Sequence, residues 1–308
     1  LHEFEKETGI KVNLTEFDSN ETMYAKIKAD PHIGYDLIFS SNYYVQRMQL
    51  EGMLEKIDKS KIPTIKYLFP ALLNKAFDPH NNYSLPFLWG TTGIVVDTRY
   101  WDPKSVQNWS SFWQKRFRNQ LLLLDDPREV FGIALVTLGY SINDTNPKHI
   151  REAYEKLKKL MPNVKVFNSD AITNIYADGD ITVGMSWGGE SLIAKKINPN
   201  LVYIYPKKAF AIWIDCLVIP KYAPHLNNAY KLINFLQRPD IAKQLAIHSS
   251  YSTPNRGALA LMSPQMRHNP IINPSKAVLA RGEYQLYVGK ANQLYQHYWN
   301  LLKLGASD

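Results

Sequence analysis

Along the first ninety residues the spacing of apolar positions switches back and forth between two periods. IKVNLTEF alternates as a strand does, NETMYAKIKAD repeats at helical spacing, YDLIFSS returns to the strand pattern and YYVQRMQLEGMLEKID to the helical one. Strand and helix in alternation predict an α/β class, a mostly parallel sheet with helices on its faces. After the Pro- and Asn-rich FDPHNNYSLP the pattern restarts with LWGTTGIVVDTRYW, whose GIVVD core is a strong strand. There follow a helix near SFWQKRF, the strand LLLLD, helices in REVFGIALVTLGY and HIREAYEKLKKLM, the strand ITVGMSW and the helix SLIAKKI. AIWIDCLVIP predicts another strand, NNAYKLINFLQ and PDIAKQLAIHS two helices, and a mainly helical tail closes the chain. Two α/β units therefore follow one another, without a Gly/Ser linker, tandem repeat or low-complexity tract. Units joined by strands predict a hinge, with segments 91-97 and 213-220 crossing, and a ligand cleft between the units.

The run LLLLDDPREVF sets four leucines against a small acidic knot in a chain of net charge +8. Asp126 is placed as an N-cap, Pro127 as the first helical residue and Glu129 as the third-position partner of a capping box. The end of a parallel strand that leads into a helix is also where open α/β sheets gather ligands, so the same acids are ligand candidates. The partial positive charge of a helix N-terminus favours ionised carboxylates, so these acids are expected to stay charged under a cation. The opening LHEFEKETG reads as the last turns of a helix closed by Gly9 with no capping residue before it, so the chain is expected to begin inside a fold, any signal peptide lying ahead of it.

With 308 residues, 45% hydrophobic and 21% charged, the composition is that of a globular chain long enough for two domains. No apolar stretch reaches the ~18–20 residues that span a bilayer. The lysines come as pairs interleaved with acids, which reads as solvated helix faces and turns and not as a nucleic-acid surface. A single cysteine, Cys216, allows no intrachain disulfide, and eight scattered histidines form no zinc-ligand set, so neither a metal site nor a cofactor is expected. Neither GxxxxGK[ST] nor GxGxxG occurs.

One enzyme motif is present. GMSWG fits G-x-S-x-G, and Ser186 with Asp215 and His248 downstream follows the chain order of an α/β-hydrolase, an alternative weakened by the lack of an HGGG-like oxyanion segment. A second alternative is ferric ion held by Tyr43 and Tyr44. Against these stand aromatic residues at strand ends. Trp187 ends ITVGMSW, Tyr43 and Tyr44 follow LIFSSN, and Trp213 lies two residues before Asp215, on the same face of one strand. An aromatic wall beside a carboxylate suits an alkylammonium group, because the ring faces attract the charge and the carboxylate accepts charge-assisted hydrogen bonds; core packing of Trp213 and a capping role for Asp215 account for the pair equally well.

ETGIKV, SNETMYAKIK, YDLI, YYV, EGMLEKIDKSKI, DPKSV, DDPREVF, LKKLMPNV, FNSD, LINFLQRPDIAKQ, STPN and GEYQ carry a resemblance over essentially the whole chain. It resembles the periplasmic spermidine/putrescine-binding proteins of bacterial ABC transporters, of the spermidine-preferential type. The resemblance implies a class II type binding protein of two lobes, each a mostly parallel sheet flanked by helices, with hinge strands between them. Residues 1-90 with 214-259 would form lobe 1, and 91-213 with 260-308 lobe 2. It further implies a non-enzymatic, monomeric periplasmic protein that holds spermidine or putrescine and delivers it to permease subunits in the inner membrane. The family's ligand contacts, carried over by position, fall on Ser41, Tyr43, Asp126, Glu129, Ser169, Trp187, Trp213, Asp215, Tyr251 and Gln285. Two departures stand out: the family's first strand and Trp-Thr-Glu-Tyr segment would precede Leu1, and Gly188 or Gly189 stands where an asparagine is common.

Overall fold

The first helix, α1 (His2–Thr8), closes on Gly9 in the left-handed conformation, as its sequence predicts. The computed structural model describes residues 1–17 and 19–305. Next come α2 (Asn20–Ala29), capped by the Ser19 side chain, then β1 (Ile38–Ser41) and α3 (Asn42–Leu50). The predicted strand Ile10–Phe17 does not form: the segment has no ladder partner among the described residues, and Leu14 and Phe17 lie exposed. The helix predicted to run from Tyr43 to Asp58 stops at Leu50, because Gly52 has φ 70° and the following residues leave to pair Leu54 with Pro220.

The long β2 (Ser84–Asp97) follows, then β3 (Leu121–Leu123), α4 (Pro127–Leu138), α5 (Pro147–Lys158), β4 (Val164–Phe167), α6 (Ile172–Asp178), β5 (Val183–Trp187), α7 (Gly188–Ile197) and β6 (Leu201–Ile204). The helix expected near SFWQKRF is instead two 3₁₀ turns, Trp109–Trp113 and Lys115–Phe117. Three-residue spacing eclipses side chains on such a turn, and Trp109 and Phe112 are both buried there. The chain continues through β7 (Ala211–Val218), α8 (Leu226–Leu236), α9 (Pro239–Ser249), α10 (Arg256–Leu261), α11 (Pro264–Arg267), α12 (Lys276–Leu279), β8 (Glu283–Tyr284) and α13 (Ala291–Gly305). The strands β4, β6 and β8 and the helix α6 are not among the elements read from the sequence.

These elements form two compact units, Leu1–Trp89 with Ile214–Arg267, and Gly90–Trp213 with His268–Asp308. Both β2 and β7 change unit part-way along. In the first unit β1 pairs antiparallel with the second half of β7, setting Ser41 opposite Asp215. Its core gathers Phe4, Leu85, Leu217, Ile233 and Phe235, with the rings of Phe4 and Phe235 edge to face at 5.3 Å.

In the second unit the helical crossovers place β3 between β4 and β5, both parallel to it. The strand β2, which enters without a helical crossover, pairs antiparallel with both β5 and β6. The sheets are thus mixed, with the parallel part centred on β3. Gly90 is required where β2 passes Trp213, since a Cβ there would lie 2.4 Å from the indole Cζ2.

Candidate functional site

In the first unit the ladder register creates the key contact. Ser41 and Asp215 are opposed across β1 and β7, and the Ser41 hydroxyl donates to Asp215 Oδ1 at 2.7 Å. Asn20 orients that hydroxyl: its Nδ2 donates to Ser41 Oγ at 3.1 Å, while its Oδ1 accepts the Ser41 backbone N–H at 3.1 Å. Asn42 holds the next position of β7 by accepting the buried Ile214 N–H at 3.0 Å. Burial pushes the Asp215 carboxyl up to about 6, opposed by the Ser41 bond. Tyr43 is buried at the start of α3, edge to face with Tyr44 at 5.0 Å. Tyr251 is half-buried just past α9, after Ser250 in the left-handed region.

In the second unit α4 begins as its sequence predicts. The Asp126 side chain accepts the backbone N–H groups of Arg128 and Glu129 at 2.7 and 3.1 Å, with Pro127 in the first turn. The second half of the expected capping box is absent. The Glu129 carboxylate instead accepts the Thr92 hydroxyl at 2.9 Å and a bond from the Trp187 indole. Tertiary donors from β2 and β5 hold it in the interior, where only 5% of the residue remains exposed. Burial, followed by the nearby Asp126 charge, pushes Glu129 up to about 8, against the lowering effects of Thr92, Trp187 and Arg128. Without a ligand, burial outweighs the pull of the helix end on the Glu129 carboxyl.

The neighbouring Asp125 is exposed and paired with Lys303 at 2.7 Å, which separates it from Asp126 and Glu129. The Ser169 hydroxyl accepts the Asp125 backbone N–H at 3.0 Å. Trp213 is buried on β7, and Gln285, buried just past β8, donates its backbone N–H to Ile212 O at 3.0 Å. Among the ten candidates the structure joins Ser41 to Asp215 and Trp187 to Glu129 directly, and seats Asp126 and Glu129 on one helical turn. Sequence reasoning missed Asn20 and Thr92; neither has a local motif, because their roles rest on contacts 21 and 37 residues away in the chain.

The alternatives fare differently. Ser186 is fully buried inside β5, and its hydroxyl donates to the Trp187 carbonyl at 3.0 Å, so it is neither on a strand-to-helix elbow nor bonded to a base. Tyr44, the other proposed iron ligand, bonds Glu21 and Arg47, and burial raises its phenol far above its ordinary value, against the tyrosinate that iron requires. Among the described residues no group of three or more His, Cys, Asp or Glu side chains is arranged for a metal.

Residues 1–274 match the family described as bacterial extracellular solute-binding protein. The chain belongs to that family. Among curated relatives of this solute-binding protein, the spermidine/putrescine-binding periplasmic protein of Salmonella typhimurium is 47% identical over 305 residues, covering 99% of this chain and 88% of the relative. Among solved structures, one from Listeria monocytogenes superposes with a TM-score of 0.93 at 36% identity, covering 98% of this chain and 94% of the other. The spermidine/putrescine ABC transporter substrate-binding protein of Streptococcus pneumoniae gives 0.86 at 35% identity, covering 99% and 94%. The fold is that of a class II type periplasmic binding protein, and a solute-binding protein performs no bond-making chemistry, which removes the hydrolase reading of Ser186.

Proposed function

We propose that this protein is a periplasmic polyamine-binding protein that captures spermidine or putrescine as a monomer and hands it to the permease subunits of an ABC importer in the inner membrane. One observation carries the reading: each unit holds a carboxylate largely out of solvent, half-buried Asp215 in the first and buried Glu129 in the second, with neutral donors and, among the described residues, no ion pair. In a chain of net charge +8 this is the arrangement a desolvated ammonium completes. The names of the relatives support the cargo.

In this reading Asp215, Asp126 and Glu129 meet ammonium groups. Tyr43, Trp187 and Trp213 line the methylene chain, and Ser41, Ser169, Tyr251 and Gln285 add neutral hydrogen bonds. The two units serve as the lobes of a closing binding protein. Calorimetry with spermidine, putrescine, spermine and cadaverine at pH 7, in two buffers of different ionisation enthalpy, tests it. Saturable binding with net proton release is expected, because Glu129 at about 8 is mostly protonated at that pH and must ionise to pair with the cation. A flat titration rejects the cargo; binding without proton release rejects Glu129 as its partner.

A further inference from the structure

Arg128 lies beside Glu129 in the first turn of α4 and is buried, with 4% of its surface exposed. A buried guanidinium ordinarily has a carboxylate partner, yet its hydrogen bonds go to neutral oxygens. Nη1 donates to Leu286 O at 2.9 Å, and Nη2 to Ile142 O at 3.3 Å and Asn143 Oδ1 at 3.1 Å. Asn143 completes a clamp around Gln285: its Nδ2 donates to Tyr284 O at 2.8 Å, and its Oδ1 accepts the Leu286 N–H at 2.8 Å. The Arg128 guanidinium also lies 5.4 Å from the centre of the Tyr295 ring, whose hydroxyl donates to Asp144 O at 2.6 Å. One buried cation thus ties α4, the loop before α5, the Gln285 segment and α13 together.

Arg128 and Glu129 line one small cavity with Gly132 and Phe210, of about 10 Å³, room for one water at most. We propose that Arg128 is a positioning residue for cargo binding: through the Asn143 clamp it presents Gln285, and its charge acts on Glu129 from the wall of the cavity the two residues share. This rests on the polyamine reading and adds a residue outside the ten contacts. Asp126 on its own helix opposes ionisation, Arg128 favours it, and the donors from β2 and β5, Thr92 and Trp187, are neutral. The cavity wall from β7 and the preceding loop, Phe210 and Ala211, carries no charge.

The test compares Arg128→Met, Arg128→Lys and Asn143→Ala by spermidine calorimetry between pH 6 and 9, with the folded fraction of each checked by circular dichroism. Arg128→Met is expected to weaken binding at least tenfold at pH 7 and to move the fall in affinity toward higher pH. Arg128→Lys should restore the wild-type pH profile while keeping part of the affinity loss. Asn143→Ala, which leaves the charge in place, should lower affinity without moving the profile. A purely structural role would weaken all three in proportion to lost stability and leave every pH profile where it was, which overturns the inference. Wild-type affinity in folded Arg128→Met or Arg128→Lys overturns it as well. A wild-type protein that takes no polyamine overturns the functional reading, and this inference with it.

Discussion

Half-buried Asp215 and buried Glu129 are both carboxylates held by neutral donors, but the two units build them differently. Asp215 sits on a strand, opposite the hydroxyl that holds it, and burial with that single bond leaves its carboxyl at about 6. Glu129 sits in the first turn of a helix with two neutral donors, an acid and a cation around it, and stands at about 8. Of the two, Glu129 is pushed further toward its protonated form. A helix N-terminus stabilises an anion by about 0.3–1 kcal/mol, whereas full burial shifts a carboxyl by up to ~3–5 pKa units. Desolvation wins, and the second unit becomes the pH-sensitive one.

Replacing each acid by its amide gives the largest effect. Asp215→Asn should weaken spermidine binding by about 2–5 kcal/mol at pH 7, since a charge already in place is lost. Glu129→Gln should lose about 1.4 kcal/mol less at pH 7 than at pH 9, because the wild-type carboxyl must first give up its proton at the lower pH. Titrations at the two pH values check this, and an equal loss at both would remove the distinction between the units.

The ligand-free protein offers the next test. A carboxyl whose folded pKa is raised stabilises the fold fully below its unfolded value and loses that stability as pH rises through the folded value. The windows are 3.8 to about 6 for Asp215 and 4.5 to about 8 for Glu129. Each group contributes a slope of at most about 1.4 kcal/mol per pH unit within its window. Denaturant unfolding without ligand should show stability falling from pH 6 to 8, and Glu129→Gln should flatten that fall while Asp215→Asn does not. A fall that persists in Glu129→Gln would assign it to another group.

Smaller effects separate the neutral donors. Thr92→Val and Ser41→Ala each remove one bond to the carboxylate and should lower affinity by about 1 kcal/mol. Thr92→Val should also shift the pH profile upward, and Ser41→Ala should leave its upper limb unchanged. Affinity equal to wild type in both would mean that these hydroxyls only pack. Smallest of all, Asp126→Asn should change ligand-free stability by no more than roughly 0.5 kcal/mol, since Asn caps a helix about as well as Asp. Its affinity for spermidine should still fall by about 2–5 kcal/mol; retained affinity would confine Asp126 to its cap.

Local chemistry was legible in the chain from the start. Asp126 and Pro127 mark the beginning of α4 because a cap and a fixed φ act within one turn. The alternation in GIVVD and ITVGMSW marks β2 and β5, and Gly9 ends α1. What the chain could not reveal alone depends on partners far along it. Glu129 leaves its capping box because Thr92 and Trp187 bring donors from other strands, and a carboxylate drawn into the interior takes those bonds. Ile10–Phe17 has a strand's pattern but no ladder, since alternation selects a face and only a neighbouring strand supplies the hydrogen bonds. Ser41 becomes the partner of Asp215 across 174 residues through the register of β1 on β7. Residue type decided which groups could carry charge or cap a helix. Burial decided which of them hold a proton, because desolvation depends on everything packed around a group and not on its neighbours in sequence.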